Sequence, residues 1–345
     1  MGPVSFRKLR DHFGSVKKIL KASALELGKV KGLAKIDLSE IKDPGLLKKA
    51  QNEIKKAARH RVQIIPFFDE KYPPALREIY DPPIALYVKG CLPDSSLPAA
   101  AVVGSRVASL YGTRIARAIA LDLARAGVVV VSGLALGIDS AAHQGTLQAE
   151  GVTVAVLGGG LGQIYPPENQ KMADRICQKG ALVSEYPTDM KPQPGFFPVR
   201  NRIISGLSRA VVVVEAYEKS GALITADCAL EQGRDVFAVP GNADSHGSKG
   251  TNNLLKQGAK LVTCAADILE ELKVVLDKPK PQARAVENLS PQENKLLSLL
   301  QNDNLDVETL IEESGLEARQ VISSLSLMEI KGLVKALPGK NYGRL

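Results

Sequence analysis

Between about residue 62 and residue 275 the chain alternates short apolar runs, rich in β-branched residues and closing on glycine or serine, with helix-length segments. That is the pattern of repeated βα units. The runs predict strands at Val62–Pro66, Ile84–Val88, Ala100–Val103, Val128–Val131, Thr153–Leu157, Ala181–Ser184, Ala210–Val214, Val236–Val239 and Lys260–Thr263. Val128–Val131 and Val211–Val214 are unbroken valines with no polar alternation, so those strands are covered on both faces. The predicted fold class is α/β: a Rossmann-like, doubly wound, mostly parallel sheet flanked by helices.

The flanks follow a different period. From Arg7 to about Arg61 the apolar spacing is helical, through Phe13–Leu20, a turn at Lys31–Gly32 and the run LLKKAQNEIKKAARH. This predicts a small all-α domain over 1–61, of SAM or helix-hairpin-helix type; a KGL triplet at Val30–Leu33 hints at the latter, and a packing module is the plainer reading. The central domain then spans 62–275. Residues 276–288 read as a linker, because Asp277–Glu287 mixes proline with charge and has no periodicity. Ser290-Pro291 opens a helix reaching about Leu300, a second helix starts near Asp306, and a turn at Ser314-Gly315 leads to a third over Glu317–Glu329. With GLVKALPGKNYGRL as a hairpin, residues 289–345 make a winged helix.

Composition narrows the class. Hydrophobic residues at 45% and charged residues at 24% are the proportions of an ordinary globular chain, so extended disorder is not expected. No window approaches the ~20 apolar residues of a membrane span, and Met1–Arg10 has no secretory apolar stretch, so a cytoplasmic protein is expected. Cys91, Cys177, Cys228 and Cys264 form no CxxC pair and read as isolated thiols, with no metal and no cofactor expected. The net charge of +8 is uneven: residues 1–61 hold 16 Lys and Arg against 6 Asp and Glu, residues 62–289 hold 23 against 23, and residues 290–345 hold 6 against 8. The basic N-terminal part attracts polyanions, unless its lysines are no more than a solvated helical surface.

In a doubly wound sheet, ligands bind at the carboxyl ends of the strands, where helix N-termini gather. The candidate chemistry falls there. Gly104-Ser105-Arg106 follows a buried strand and precedes a helix: glycine permits close approach, serine offers a hydroxyl and arginine forks onto phosphate. In SGLALGIDSAAH, Asp139 and His143 stand four apart, but Asp139 at a helix start reads as an N-cap, and the neighbouring sequence offers no further metal ligands. Gly158-Gly159-Gly160 departs from a dinucleotide fingerprint at Gln163, and no GxxxxGK[ST] loop is present, so neither nicotinamide binding nor ATP hydrolysis is expected. In PGFFPVRNRIISGLS, Phe196 or Phe197 supplies a stacking face for an unpaired base while Arg200 and Arg202, with Asn201 between them, hold phosphates. Lys219-Ser220-Gly221 leads into another helix N-terminus suited to an anion.

Taken in order, VVGSR, SGLALGIDSAAH, GGGLGQIYPPEN, SEYP, FPVRNRIISGLS, SGALITA, GRDVFAVPG and NNLLKQGA resemble the DprA (Smf) family of DNA processing proteins nearly end to end over residues 62–275. The resemblance implies a single-stranded DNA-binding homodimer that delivers DNA to the RecA recombinase in natural transformation and catalyses no reaction. It places Arg106 on phosphate and Phe197 on a base, and the dimer and RecA-facing surfaces around Leu254–Leu272. The pattern departs from the family at Pro194 and Val199, which shifts the expected grip toward Arg200, Arg202, Lys171 and Lys219. The winged helix, with more acidic than basic residues, suits a protein contact at least as well as a duplex. The competing reading is a nucleoside-monophosphate phosphoribohydrolase on a related fold; the corresponding stretch here, KSGALITADCAL, lacks the glutamate such enzymes need.

Overall fold

The computed structural model describes residues 3–32, 41, 43–274, 289–300, 305–330, 333–337 and 341–344. The chain divides into two compact units, Met1–Leu276 and Asp277–Leu345. The whole of the proposed linker and Leu33 of the KGL triplet lie outside the described residues.

Among the described residues the first unit opens with helices α1 (Pro3–Phe13), α2 (Val16–Lys21), α3 (Ala24–Gly28) and α4 (Leu46–Arg59). Ser15 and Ser23 cap α2 and α3, Ser23 in a reciprocal box with Glu26. Leu9, Ile19, Leu27, Val30 and Ile41 close a small core among them. The sequence that follows forms β1 (Val62–Pro66), α5 (Pro74–Arg77), β2 (Ala85–Gly90), β3 (Ala99–Val103), α6 (Leu110–Arg125), β4 (Val129–Ser132), α7 (Ile138–Gln148), β5 (Thr153–Val156), α8 (Gln170–Lys179), β6 (Ala181–Ser184) and α9 (Phe196–Gly206). It continues through β7 (Ala210–Val213), α10 (Gly221–Glu231), β8 (Asp235–Ala238), α11 (Lys249–Lys256), β9 (Lys260–Leu261) and α12 (Ala265–Glu271).

The strands join one sheet in the order β1-β2-β6-β5-β4-β3-β7-β8-β9. From β6 to β9 every pairing is parallel, whereas β1 and β2 run antiparallel to each other and β2 antiparallel to β6. The valine runs show why both faces are filled. Side chains alternate across a strand, so Val129, Val131, Val211 and Val213 join one core with helices α5, α9, α10 and α11, while Val128, Val130, Val212 and Val214 join the other with α6, α7 and α12. Ala57 of α4 and Ala173 and Ile176 of α8 extend that second layer over Ala155 and Leu182. The last strand is shorter than the apolar run suggests: Val262 N–H still donates to Ala238 O at 3.1 Å, but Thr263 N–H turns to Asp267 Oδ2 at 2.7 Å, and Lys260 is held by Asp235 at 2.9 Å and Glu271 at 2.6 Å.

The order reverses between β3 and β7: the chain leaves β3 toward β4 on one side and β7 toward β8 on the other. A crevice therefore opens beyond their carboxyl ends.

The second unit contains α13 (Pro291–Leu299), β10 (Leu305–Asp306), α14 (Val307–Ser314), α15 (Ala318–Ile330), β11 (Val334–Leu337) and β12 (Asn341–Arg344), with the strands ordered β10-β12-β11 and antiparallel. Ser290 and Glu293 box the start of α13, Asp306 accepts from the N–H groups of Glu308 and Thr309, and Gly315 in the left-handed region at φ 60° ends α14. Leu296, Leu310, Val321, Leu325, Met328 and Val334 form its core. This is the winged helix the hydrophobic spacing predicts. No helix among the described residues is long and apolar enough to cross a membrane.

Candidate nucleic-acid interface

At the reversal point lies a cavity of about 530 Å3, walled by the loops after β3, β4 and β7 and by α9. Gly104, Arg106, Phe197, Arg200, Asn201, Ser220 and Gly221, all singled out in the sequence, meet in its lining. Asp139 and Tyr165 complete the wall facing them.

The β3 loop is built by close packing. A Cβ at Gly104 would fall 2.7 Å from Ile138 Cγ1 and 2.8 Å from the Glu215 carbonyl oxygen. Gly137, at φ 78°, would press one to 2.3 Å from the Ser105 carbonyl oxygen. Ser105 is buried and does not line the cavity; its hydroxyl donates to Val107 O at 2.8 Å and accepts from Val107 N–H at 3.1 Å. It shapes the turn that turns Arg106 outward. Arg106 is exposed, its guanidinium 4.8 Å from the centre of the half-buried Phe197 ring, with Tyr165 6.0 Å from that ring on the rim. Phe196 faces elsewhere and stacks on Tyr186 at 4.1 Å.

Arg200 forms the floor and is 4% exposed. Its Nη1 donates to the carbonyl oxygens of Gly133, at 2.9 Å, and Val156, and its Nε to Asn201 Oδ1 at 3.3 Å. Burial pulls its pKa down to about 10, with like charge from Arg106 adding and Asp139 opposing, so it stays charged at neutral pH. Asn201 in turn donates to Gly221 O at 3.0 Å, fixing α9 to the start of α10, where Ser220 caps the helix. The positive end of the α10 dipole thus borders the cavity.

Arg202 corrects an expectation. It is 7% exposed, and its guanidinium grips Glu185 through two bonds of 3.0 and 2.7 Å and Asp81 through one of 2.8 Å. Positions two apart on a helix point to nearly opposite sides, so Arg200 and Arg202 do not share a phosphate. Lys171, at the start of α8, and Lys219, before α10, are exposed and do not line the cavity.

Asp139 is also placed differently from its reading as an N-cap: Gly137 takes the cap position, and the Asp139 carboxylate accepts from Gly133 N–H at 3.1 Å and Ala135 N–H at 3.4 Å. Burial raises its pKa against the pull of Arg200 and these N–H groups. His143 is enclosed, its Nδ1 2.8 Å from Thr153 Oγ1, and burial, aided by the Arg200 charge, drives its pKa down to about 3. The two form no acid/base pair.

Two residues that sequence reasoning did not single out hold the site together. Glu215, in the loop two residues beyond β7, accepts from Ser109 N–H at 3.1 Å and Ser109 Oγ–H at 2.8 Å, tying that loop to the start of α6. Its signal lies in Gly112 and Gly247, where added Cβ atoms would meet its carboxylate oxygens at 2.0 and 2.5 Å. Asn169, in the PPEN stretch, donates to Leu134 O at 2.8 Å and Ser140 Oγ at 2.9 Å and so fixes the loop after β4.

Residues 63–273 match the family described as DNA recombination-mediator protein A, and residues 280–340 match the DprA winged helix domain. Protein Smf of Escherichia coli (strain K12) is 44% identical over 290 residues, 82% of this chain and 77% of that protein. The X-ray structure of DNA processing protein A from Streptococcus pneumoniae is 37% identical with a TM-score of 0.59, covering 79% of this chain and 98% of that one. The DNA processing protein A from Helicobacter pylori, whose structure is described as giving insight into a single-stranded DNA binding mode, is 32% identical with a TM-score of 0.55, covering 62% of this chain and 97% of that one.

Proposed function

Since this chain belongs to the DNA recombination-mediator protein A family, we propose that it binds single-stranded DNA at the cavity beyond β3 and β7 and serves recombination without catalysing a reaction. The observation that carries this reading is Arg106 lying 4.8 Å from the Phe197 ring at the mouth of a cavity floored by a buried, charged Arg200. Arg106 meets a phosphate as the strand passes, with the dipole of α10 assisting beside Ser220 and Gly221. Phe197, with Tyr165 beside it, stacks an unpaired base. Arg200 supplies fixed positive charge from below and, through Asn201, holds α9 and α10 in register. Within a duplex the base faces are covered by the neighbouring base pairs, so the site favours a single strand over a duplex.

The same reading has the protein act as a homodimer through the region around Leu254–Leu272 and pass the coated strand to the RecA recombinase. Neither acid/base candidate from the sequence is free to act there: the Asp139 carboxylate accepts from Gly133 and Ala135 N–H, and His143 is enclosed. The phosphoribohydrolase alternative is tested by incubating the protein with nucleoside monophosphates, for which no release of base is expected.

Titration of a labelled oligo(dT) by fluorescence anisotropy tests the site. Arg106→Ala should weaken binding and lower the slope of log K against log salt by about 0.7, the share of one phosphate contact on a single strand. Phe197→Ala should cost about 1 to 3 kcal/mol at one base without changing that slope. Two variants that bind as wild type, at every salt concentration, would place the strand elsewhere.

A further inference from the structure

Helix α4 leaves most of its surface uncovered. Ala57 is its buried residue and Leu46 and Glu53 are half-buried, while Leu47 is 68% and Ile54 60% exposed. Its lysines divide into two sets. Lys49 and Lys56, though exposed, are paired with Asp43 at 2.6 Å and Asp189 at 2.8 Å. Lys48, Lys55 and Arg59 are exposed and have no ion pair or hydrogen bond among the described residues. At seven and then four residues apart they fall on one stripe of the helix, spaced by about 10 and 6 Å along its axis. The exposed apolar pair Leu47 and Ile54 runs beside them.

A continuous line of contacts connects the seated face of α4, on the far side of the helix from this stripe, to the cavity. A Cβ on Gly158 would lie 2.8 Å from the Phe197 ring, one on Gly159 would lie 3.1 Å from Pro192 N, and Gly160 N–H donates to Met190 O at 2.8 Å. Thr188, two residues before Met190, donates from its N–H and Oγ–H to Glu53 of α4 at 2.7 and 2.8 Å. Three glycines, at most about 10 Å of chain, therefore separate the stacking ring from the loop that seats α4. That loop carries the exposed Lys191 on the way.

We propose that α4 is a second segment of the single-strand site: the strand leaves Phe197, crosses the 187–195 loop, passes the flank of the helix at Lys56 and lays phosphates on Lys48, Lys55 and Arg59 of its outer face. Leu47 and Ile54 meet the bases that turn away from those phosphates. This rests on the cavity reading above for the strand's starting point, and it assigns the lysine-rich N-terminal part a ligand, the phosphodiester backbone of unpaired DNA.

The test uses the full chain with Lys48, Lys55 and Arg59 all changed to alanine, on an exposed helical face where alanine is well tolerated. Binding is measured to a dT trinucleotide, to a dT oligomer of about 20 nucleotides, and to a blunt duplex. The oligomer should bind roughly ten-fold more weakly or worse, with its salt slope lower by about 2, while the trinucleotide binds as before; Lys48→Arg with Lys55→Arg should bind as wild type. An oligomer held with unchanged affinity and slope overturns the proposal. So does a loss of the same size on the trinucleotide, which would mean a disturbed cavity, or on the duplex, which would mean a general polyanion patch. Arg106→Ala run alongside separates the two ideas: it should weaken both strand lengths, and if it weakens neither, the cavity reading fails while the oligomer result still decides whether α4 binds DNA.

Discussion

Arg200 and Arg202 show how position on a helix decides what a charged side chain does. Both guanidiniums are buried, yet one spends its donors on carbonyl oxygens beneath a cavity and the other on two carboxylates beneath a loop. A buried ion pair is sensitive to the loss of one partner, because the charge left behind stays unsolvated. Arg202→Ala should therefore destabilise the first unit by about 3 to 5 kcal/mol, leaving Glu185, whose carboxyl burial already pushes upward, with its chief counter-charge gone. Urea unfolding measures this, and the variant that remains folded should bind oligo(dT) as wild type does. A normal midpoint with lost binding would instead make Arg202 a ligand contact.

At the level of elements, the central strands β4 and β7 were legible because Val128–Val131 and Val211–Val214 carry nothing polar to orient them, so both faces had to be covered. The antiparallel running of β1 and β2 left no such trace, since pairing direction depends on the path of the eighteen residues between Pro66 and Ala85 rather than on the strands themselves. Among site residues, Arg106 and Phe197 were found because turn, aromatic and charge lie close together in the sequence. Glu215 and Asn169 were not, because their partners stand 106 and 35 residues away and nothing local marks a carboxylate or an amide that will be needed there. The meeting of the β3 and β4 loops depends on Gly137, whose backbone an L side chain rarely adopts. Gly137→Ala should cost at least about 1 to 3 kcal/mol and weaken oligo(dT) binding together with stability, since the Ser105 and Arg106 carbonyls must move aside. Equal affinity with an unchanged melting temperature would show that the loops have room this packing does not reveal.

For the whole molecule, sensitivity to acid follows from His143. The folded first unit protonates it near pH 3, whereas an unfolded chain does so near 6.5. As pH falls below about 6.5 the unfolded state gains a proton that the folded state refuses, so stability should drop by up to about 1.4 kcal/mol per pH unit. Asp139, with its raised pKa, acts in the opposite sense, so the comparison that isolates the imidazole is wild type against His143→Gln, with urea midpoints taken at neutral and mildly acidic pH; the variant should show the flatter profile, and parallel profiles would refute the enclosure of a neutral ring. The second unit has a different electrostatic character: Glu308, Glu312, Glu313 and Glu317 are exposed around the turn between α14 and α15, and α15 presents Arg319, Ile322 and Ser323 to solvent. Finally, a large sheet that stopped on a long bare strand would invite a neighbour's backbone to continue the ladder, the first step toward a fibril. Here the last strand is two residues long and its lysine is clamped between two acids, so a second molecule finds almost no amides to pair with. Crowded solutions of this protein gain a built-in brake on templated growth from that side.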